Sequence, residues 1–262
     1  MKIIIFNTPN VPNTPDLFRL QIYLPLYETS KGPGWIELLE SEKLWEDHFQ
    51  PFRWMSRDYD YQIKVKDLLK AVDTLKSSVK IPVIDILRRV TASFAHSSCA
   101  IEGNTLTVHD TRAIWEKLKK NNLDILLENQ KLLLPGPRSL SDKPENEAIE
   151  IRNHLLSTYL VSKFAELECE INLDDIKDIH QDRSISKSRA FDCLSKVPAL
   201  MKRFIEFRDE SIKNDSLHPL IIASRIFSSF NHVHPFADSN GRVARSVMAY
   251  YLIRNGYPPI VF

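Results

Sequence analysis

The chain has 262 residues, 35 Lys and Arg against 34 Asp and Glu, and only six glycines beside fifteen prolines. Average proteins contain roughly 7% glycine, and this shortage argues against folds that use glycine in phosphate loops and tight β-turns, such as doubly wound nucleotide-binding sheets, propellers and β-sandwiches. The net charge of +1 offers no basic excess to release counterions from a nucleic acid. The composition favours an all-α fold, because glycine costs about 1 kcal/mol relative to alanine inside a helix.

The first 60 residues contain six prolines and predict a poorly defined N-terminal segment, apart from one amphipathic stretch that begins at Trp35 and continues to about Phe49. From about residue 61, apolar residues recur at three- and four-residue spacing, which is typical of helices. We therefore predict a helical domain over 61–262. Its first long helix spans about 83–102 and ends at Gly103, a residue that suits the left-handed position after a helix.

Further helices are expected along the rest of the chain, and Pro198 and Pro219 each mark the start of one. Residues 121–144 are predicted to form a loop, and residues 181–196 are polar with no clear secondary structure. The other predicted helices lie at about 110–120, 145–166, 173–180 and 241–254.

The sequence also bears on the compartment of the protein. The apolar run in Lys2–Phe6 is too short for a signal peptide, and no run of about 18 apolar residues follows. Cys99, Cys169 and Cys193 are odd in number and lack metal-like spacing, which disfavours a disulfide framework or a zinc site. We expect a soluble, intracellular, cytoplasmic protein.

The densest cluster of reactive side chains is the twelve-residue stretch His234–Arg245, which reads His-Pro-Phe-Ala-Asp-Ser-Asn-Gly-Arg-Val-Ala-Arg. The proline after His234 disfavours a helical conformation for that histidine, so a preceding helix should end just before it. Ser, Asn and Gly at 239–241 commonly begin helices, and a helix N-terminus attracts anions. Arg242 and Arg245 lie three apart and share one face. Together these residues indicate a phosphate-binding site with a base and a metal ligand beside it, rather than an ordinary turn.

This stretch resembles the motif of Fic-domain proteins: His-Pro-Phe, any residue, Asp or Glu, Gly, Asn, Gly, Arg, two variable residues and Arg. Every fixed position matches except Ser239, where Gly or Ala is usual; serine is small and is expected still to cap the helix. Similar stretches occur at 150–153, 197–201 and 218–230. The resemblance implies an all-α, Fic-like helical bundle with at most a short β-hairpin and a catalytic core over about 173–262.

The resemblance also implies a role for each matching residue. His234 would be the general base, since an imidazole ordinarily titrates near about pH 6.5, and Asp238 would hold Mg²⁺. ATP would be the substrate, with its γ-phosphate on Arg245. Its α- and β-phosphates would be bound through side chain and backbone by Asn240, Gly241 and Arg242.

A second match lies at 98–104, Ser-Cys-Ala-Ile-Glu-Gly-Asn. It resembles the inhibitory motif of the family, in the class where this motif precedes the catalytic one. Glu102 falls in the last turn of the helix at about 83–102, where a negative charge opposes the helix dipole by a few tenths to about 1 kcal/mol. Such a carboxylate needs either water or an external cation, and the resemblance names that cation as Arg245. Ser98 lies on the same face and is expected to pin Glu102 or a neighbouring backbone group.

The function implied by the resemblance is that of a nucleotidyltransferase, which moves AMP from ATP to a Ser, Thr or Tyr hydroxyl of a target protein and is autoinhibited by Glu102. Two alternatives stay open: a hydrolase that removes AMP from proteins and uses Glu102 to position water, and a nucleotide-binding interaction protein with impaired catalysis. The second is favoured by residues 181–196, which lack a clear strand pair where the family has a flap that aligns the target by strand addition. Expected partners are the target protein and, as an open possibility, a second copy of the chain, but neither nucleic acid nor a membrane.

Overall fold

The computed structural model describes residues 51–128, 144–180, 197–213, 216–236 and 238–261. Within these ranges the secondary structure is helical and contains no strand, so the predicted all-α fold is confirmed. The amphipathic stretch at 35–49 and the region 181–196 lie outside the described residues. In chain order the helices are α1 (Pro51–Lys64), α2 (Lys66–Ser78), α3 (Val83–Ile101), α4 (Val108–Lys119), α5 (Leu123–Glu128), α6 (Glu145–Glu166), α7 (Leu173–His180), α8 (Val197–Ile212), α9 (Pro219–Val233) and α10 (Asn240–Arg254).

Helix α10 lies at the centre of the bundle. Every residue from Arg242 to Ile253 is buried, and a helix that is buried all round needs neighbours on every side. Those neighbours are α3, α6, α7 and α9. The start of α10, where the predicted motif ends, is therefore fixed in the core.

Helix α6 lies between two hydrophobic clusters. The larger one surrounds α10 and includes Val161 and Ala165 of α6. The smaller one lies among α3, α4, α5 and α6 and includes Ile151, Leu155 and Leu156. Because α6 packs on both α3 and α10, it sets the position of the predicted inhibitory helix relative to the motif helix.

The ends of the helices follow from local sequence. Helix α3 ends as predicted, and Gly103 after it has a φ of +97°, which glycine adopts without steric cost. The prediction of a loop over 121–144 was wrong at its start, where α5 forms. The side-chain oxygen of Asn122 accepts a hydrogen bond from the N–H of Asp124 (3.0 Å) and so satisfies a donor in the first turn of α5.

Polar contacts fix α2 to the ends of α9 and α10. Tyr257, which follows α10, donates a hydrogen bond to Asp73, and the His218 ring at the start of α9 lies 3.1 Å from the same carboxylate oxygen. Lys76 donates to the backbone carbonyl of Asn255 (2.7 Å). The hydrogen bond from Tyr257 lowers the pKa of Asp73 below its usual value; burial opposes this effect and His218 adds to it.

We expect Tyr257→Phe to lower the free energy of unfolding by about 1 kcal/mol at neutral pH, the net value of one hydrogen bond. Because the pKa of Asp73 is lowered in the folded protein, this carboxylate stabilises the fold above its unfolded pKa of about 3.9. That contribution is lost as the pH falls through the folded value, so the difference between wild type and variant should shrink between about pH 7 and about pH 3. Urea unfolding at both pH values measures the difference.

Tyr250→Phe is the matched control for this prediction. Tyr250 also donates a hydrogen bond, but to the backbone carbonyl of Cys169, which does not titrate. Its loss should have the same effect on stability at both pH values. A Tyr257→Phe effect that is equally independent of pH would contradict the role assigned to Asp73.

The boundary between a poorly defined segment 1–60 and a helical domain 61–262 stays a prediction. Helix α1 begins at Pro51, and residues 1–50 lie outside the described ranges. Among the helices that the structure describes, none combines the length and the apolar character required to cross a lipid bilayer.

Candidate functional site

The loop between α9 and α10 contains two residues in the left-handed conformation. His234, directly after α9, has φ 50° and ψ 59°, and its N–H donates to the carbonyl of Phe230 (3.1 Å). Ser239, directly before α10, has φ 67° and ψ 8°. In the described part of the chain, only one other non-glycine residue has a positive φ. This conformation costs about 1–2 kcal/mol per residue and is found where the surroundings enforce it, often at functional sites.

Ser239 occupies the N-cap position of α10, but its side chain makes no capping hydrogen bond. The expectation that this serine caps the helix was therefore wrong. In its left-handed conformation the hydroxyl accepts a hydrogen bond from Arg242 instead. Glycine, which is usual at this position of the motif, adopts the same backbone conformation without a steric penalty.

The side chain of Asn240 fixes the shape of the loop. Its Oδ1 accepts from the N–H of Phe236 (2.9 Å), and its Nδ2 donates to the carbonyl of Phe236 (2.6 Å). Asn240 is only 2% exposed. Its side chain was expected to contact phosphate, but both of its polar atoms are used within the loop.

We expect Asn240→Ala to lower the free energy of unfolding by about 2 kcal/mol, because two backbone groups of the buried Phe236 lose their partner. Chemical denaturation followed by circular dichroism measures the change. Asn231→Ala is the matched control: Asn231 is less buried and, among the described residues, makes one side-chain hydrogen bond, from its Nδ2 to the carbonyl of Phe227 (3.0 Å). A loss of stability no larger than that of the control would contradict the role given to Asn240.

Three acceptors of the protein itself hold the guanidinium of Arg242. It forms an ion pair with Glu150 and donates a hydrogen bond to the hydroxyl of Ser239. Its Nη2 also lies 3.4 Å from Oδ2 of Asp238. The Arg242 side chain is 11% exposed, and burial lowers its pKa from the usual value. A buried charge of this kind needs compensating partners, and a phosphate would have to displace or share them.

Arg245 is held by the predicted inhibitory segment. Its Nε donates to Oγ of Ser98 (2.7 Å), and its Nη2 donates to the Ser98 carbonyl (2.8 Å) and to Oε1 of Glu102 (2.6 Å). The side chain of Arg245 is 4% exposed and that of Glu102 is 30% exposed. The structure thus brings the predicted pair together. Ser98 differs from expectation, since it holds the arginine rather than the glutamate.

Glu102 also lies against the N-terminus of α10. A β-carbon on Gly241 would overlap Oε1 of Glu102, so this close approach requires glycine. Glu102 follows the last residue of α3, where the helix dipole disfavours a negative charge, but the N-terminus of α10 favours one. The carboxylate therefore lies where the sequence predicts that a phosphate binds.

A cavity of about 240 Å³ opens beside Arg242, between α6, α7 and the start of α10. Burial, with a smaller effect from the charge of Arg245, lowers the pKa of His154 to about 3, so this imidazole is neutral. The ring of His180 stacks on Phe236 with 3.9 Å between centroids. Polar residues dominate the lining of the cavity, which includes Asn146, Glu150, Asn153, His154, Ser157, His180, Asp238 and Arg242.

A protein-family model described as the Fic/DOC family matches residues 145–252, which contain the whole stretch from α6 through the motif and nearly all of α10. The chain carries a Fic/DOC family domain. A curated relative from Nematostella vectensis, "Protein adenylyltransferase Fic", is 31% identical over 187 residues, which is 65% of this chain and 40% of the relative. A relative of the same name from Drosophila grimshawi is 28% identical over 188 residues, which is 65% of this chain and 35% of the relative. The chain therefore spans 40% or less of the length of these two relatives.

Two solved structures share the fold of this Fic-domain chain. A Fic-domain-containing signaling protein from Bacteroides thetaiotaomicron gives a TM-score of 0.54 at 21% identity and covers 74% of this chain and 76% of its own. The Fic-1 protein from C. elegans gives 0.57 at 22% identity and covers 96% of this chain and 76% of its own. At these identities the likeness concerns the fold, and it confirms the predicted Fic-like helical architecture.

Glu150 is the residue of the Fic domain that sequence reasoning missed. In the sequence it begins the stretch 150–153, which indicates no role for this carboxylate. Glu147 and Glu150 lie three apart on one face of α6, and both bind the turn that follows α3. Glu147 Oε2 accepts from the N–H of Thr105 (2.6 Å), and Glu150 Oε2 accepts from Nδ2 of Asn104 (2.6 Å). From the sequence, the three-residue spacing of Glu147 and Glu150 predicts that their carboxylates are neighbours on one helix face, but it does not identify the residues that they contact.

Proposed function

We propose that the protein transfers AMP from ATP to a Ser, Thr or Tyr hydroxyl of a target protein, and that Glu102 keeps it weakly active. The observation that carries the proposal is the motif loop, which runs from His234, directly after α9, to the N-terminus of the buried helix α10. The two relatives named protein adenylyltransferase Fic support the reaction class.

The first turn of α10 supplies the anion-binding groups. The first N–H groups of a helix have no partner within it, and the N–H of Val243 makes the first such bond of α10, to the carbonyl of Ser239 (3.0 Å). The backbone N–H groups of residues 240–242 are therefore the ones expected to meet the phosphate oxygens. Asn240 contributes by fixing the loop, and Arg242 and Arg245 add positive charge.

The transfer is a displacement at the α-phosphorus. The target hydroxyl oxygen bonds to this phosphorus, the bond from the phosphorus to the α–β bridging oxygen breaks, and its electron pair leaves with pyrophosphate. The hydroxyl proton passes to the imidazole of His234, which is exposed and therefore accessible to a protein substrate. Arg245 would hold the γ-phosphate and so align the α-phosphorus with the attacking oxygen.

Asp238 fits the role of a magnesium ligand that works together with ATP. Its carboxylate is 73% exposed, and no group of three or more His, Cys, Asp or Glu side chains among the described residues could hold a metal ion by itself. Mg²⁺ is commonly bound by one or two carboxylates together with phosphate oxygens and water. When bound, it would offset the negative charge that develops on the phosphates.

Inhibition follows from competition for Arg245. The guanidinium already donates to Ser98 and Glu102, and a γ-phosphate at the same place would meet the Glu102 carboxylate. The triphosphate must then displace this side chain or bind in another position. Because such reactions depend mainly on positioning and charge stabilisation, a shifted triphosphate would leave the α-phosphorus out of line with the hydroxyl.

Two batches of ATP, labelled at the α- or the γ-phosphate, test the proposed reaction. The protein is incubated with each batch, Mg²⁺ and a cell extract as a source of targets, and protein-bound label is counted after denaturation. Label retained by extract without the protein, to which the extract's own kinases contribute, is subtracted, and we expect the protein to add retention of the α-label only. Added retention of the γ-label would indicate phosphorylation, and added retention of neither label by wild type or Glu102→Gly would contradict the proposal.

A further inference from the structure

We propose that Glu150 is a second restraint on the site: it acts on Arg242 as Glu102 acts on Arg245, and Asn104 couples the two. This inference rests on the proposed function, since it concerns the same two arginines. It assigns regulatory roles to two side chains outside the motif.

Glu150 is the better placed of the two carboxylates beside Arg242. Its side chain is 23% exposed and forms an ion pair with the guanidinium. The side chain of Asp238 is 73% exposed and lies farther away, at 3.4 Å. A phosphate that approaches Arg242 therefore meets a carboxylate that water screens only partly, and Glu150 should weaken its binding.

Asn104 connects this carboxylate to the turn that follows α3. Its Nδ2 donates to Glu150 Oε2 (2.6 Å) and to the carbonyl of Glu147 (3.1 Å), while its Oδ1 accepts from the N–H of Leu106 (3.1 Å). Asn104 is 9% exposed. The carboxylate that holds Arg242 thus also holds the turn in place.

The same turn carries Glu102. Only Gly103 separates Glu102 from Asn104, and the N–H of Asn104 donates to the carbonyl of Cys99 in α3 (3.1 Å). A displacement of Glu102 that moves the turn must therefore disturb the contact between Asn104 and Glu150. The turn thus links the two carboxylates that restrain the arginines: it carries Glu102, and through Asn104 it binds Glu150.

Glu150→Gln tests the restraint. The amide keeps the size of the side chain and an oxygen that accepts from Asn104, but it removes the negative charge beside Arg242. We expect calorimetric titration with ATP to show about tenfold tighter binding, which corresponds to about 1.4 kcal/mol. Glu166→Gln is the matched control on the same helix, because Glu166 pairs with Arg88 (3.0 Å) away from the motif. If Glu150 instead positions Arg242 for phosphate, the variant will bind ATP more weakly.

A double-mutant cycle tests the coupling. Because the restraints are joined, the gain in ATP affinity of Glu102→Gly combined with Glu150→Gln should be smaller than the product of the single gains. Asn104→Ala removes the amide donor without adding a charge beside Glu150, and in this background the two gains should become independent. Circular dichroism melting shows whether each variant is folded. If the Asn104 variant does not fold, the comparison of Glu150→Gln with wild type still tests the restraint on Arg242.

The outcomes separate this inference from the proposed function. If Glu102→Gly binds ATP more tightly and Glu150→Gln binds it as wild type does or more weakly, the second restraint is disproved and the proposed function stands. Independent gains in the cycle would disprove the coupling through Asn104. If neither wild type nor any variant binds ATP, the proposed function fails and this inference fails with it.

Discussion

Glu102→Gly is expected to raise the rate of AMP incorporation from ATP by at least about tenfold. Without Glu102, the γ-phosphate no longer competes with a carboxylate for the buried Arg245. A tenfold increase corresponds to a gain of about 1.4 kcal/mol in the binding of correctly placed ATP. The change frees one donor of Arg245 and uncovers the N-terminus of α10. Ser98 still accepts two hydrogen bonds from Arg245, at 2.7 and 2.8 Å, and so keeps the guanidinium in position. Initial rates with α-labelled ATP measure the effect.

Glu168→Gly is a closely matched control. Glu168 also follows the end of a helix, has a φ of 56° that glycine tolerates, and pairs with Arg254 at the other end of α10 (3.5 Å). It should leave AMP incorporation unchanged. An unchanged or lower rate for Glu102→Gly would contradict autoinhibition. If Glu102→Gly also loses the ability to remove AMP from a modified protein, the hydrolase alternative gains support.

His234→Ala is expected to lower AMP transfer by about 10²- to 10⁴-fold, the usual contribution of a general base. The rate is best measured in the Glu102→Gly background, where activity is high enough to quantify a large loss. Affinity for ATP should change little, because the N–H groups that we propose bind the phosphates belong to α10 and not to the histidine. The expected pattern is thus lost transfer with retained binding.

The left-handed backbone at position 234 requires a second variant. Alanine is strained at a φ of 50°, whereas asparagine tolerates this conformation, so His234→Asn separates loss of the base from distortion of the loop. His232→Ala, which changes an exposed histidine in the last turn of α9, is the control that should keep its activity. Near-normal transfer by both His234 variants would rule out the proposed base.

The fold could be predicted well from the sequence because its signals are local. Apolar periodicity located the long helices, and Pro219 and Gly103 marked helix ends through their own backbone preferences. Helix α10 begins at Asn240, one residue before its predicted start. The short helix α5 was missed because six residues carry too little periodicity, and its start depends on the side chain of Asn122.

The site could be predicted only where its residues follow one another in the chain. The motif residues lie in one loop and in the first turns of the helix that follows it, so His234 and the N-terminus of α10 were placed together by spacing alone. Long-range partners could not be deduced that way: Ser98 contacts Arg245 rather than Glu102, and Glu150 pairs with Arg242. These pairings depend on how α3 and α6 pack against α10, which the spacing of the motif does not contain.

Mass spectrometry of Glu102→Gly after incubation with ATP and Mg²⁺, compared with Glu102→Gly combined with His234→Ala, tests the central claim most directly. We predict that proteins in the Glu102→Gly reaction, either the chain itself or added targets, gain the mass of one AMP on a Ser, Thr or Tyr side chain. The double variant should produce no such peptide. Absence of AMP-modified peptides from the Glu102→Gly reaction, or equal amounts from both variants, would contradict the assignment of the motif loop as an AMP-transferring site.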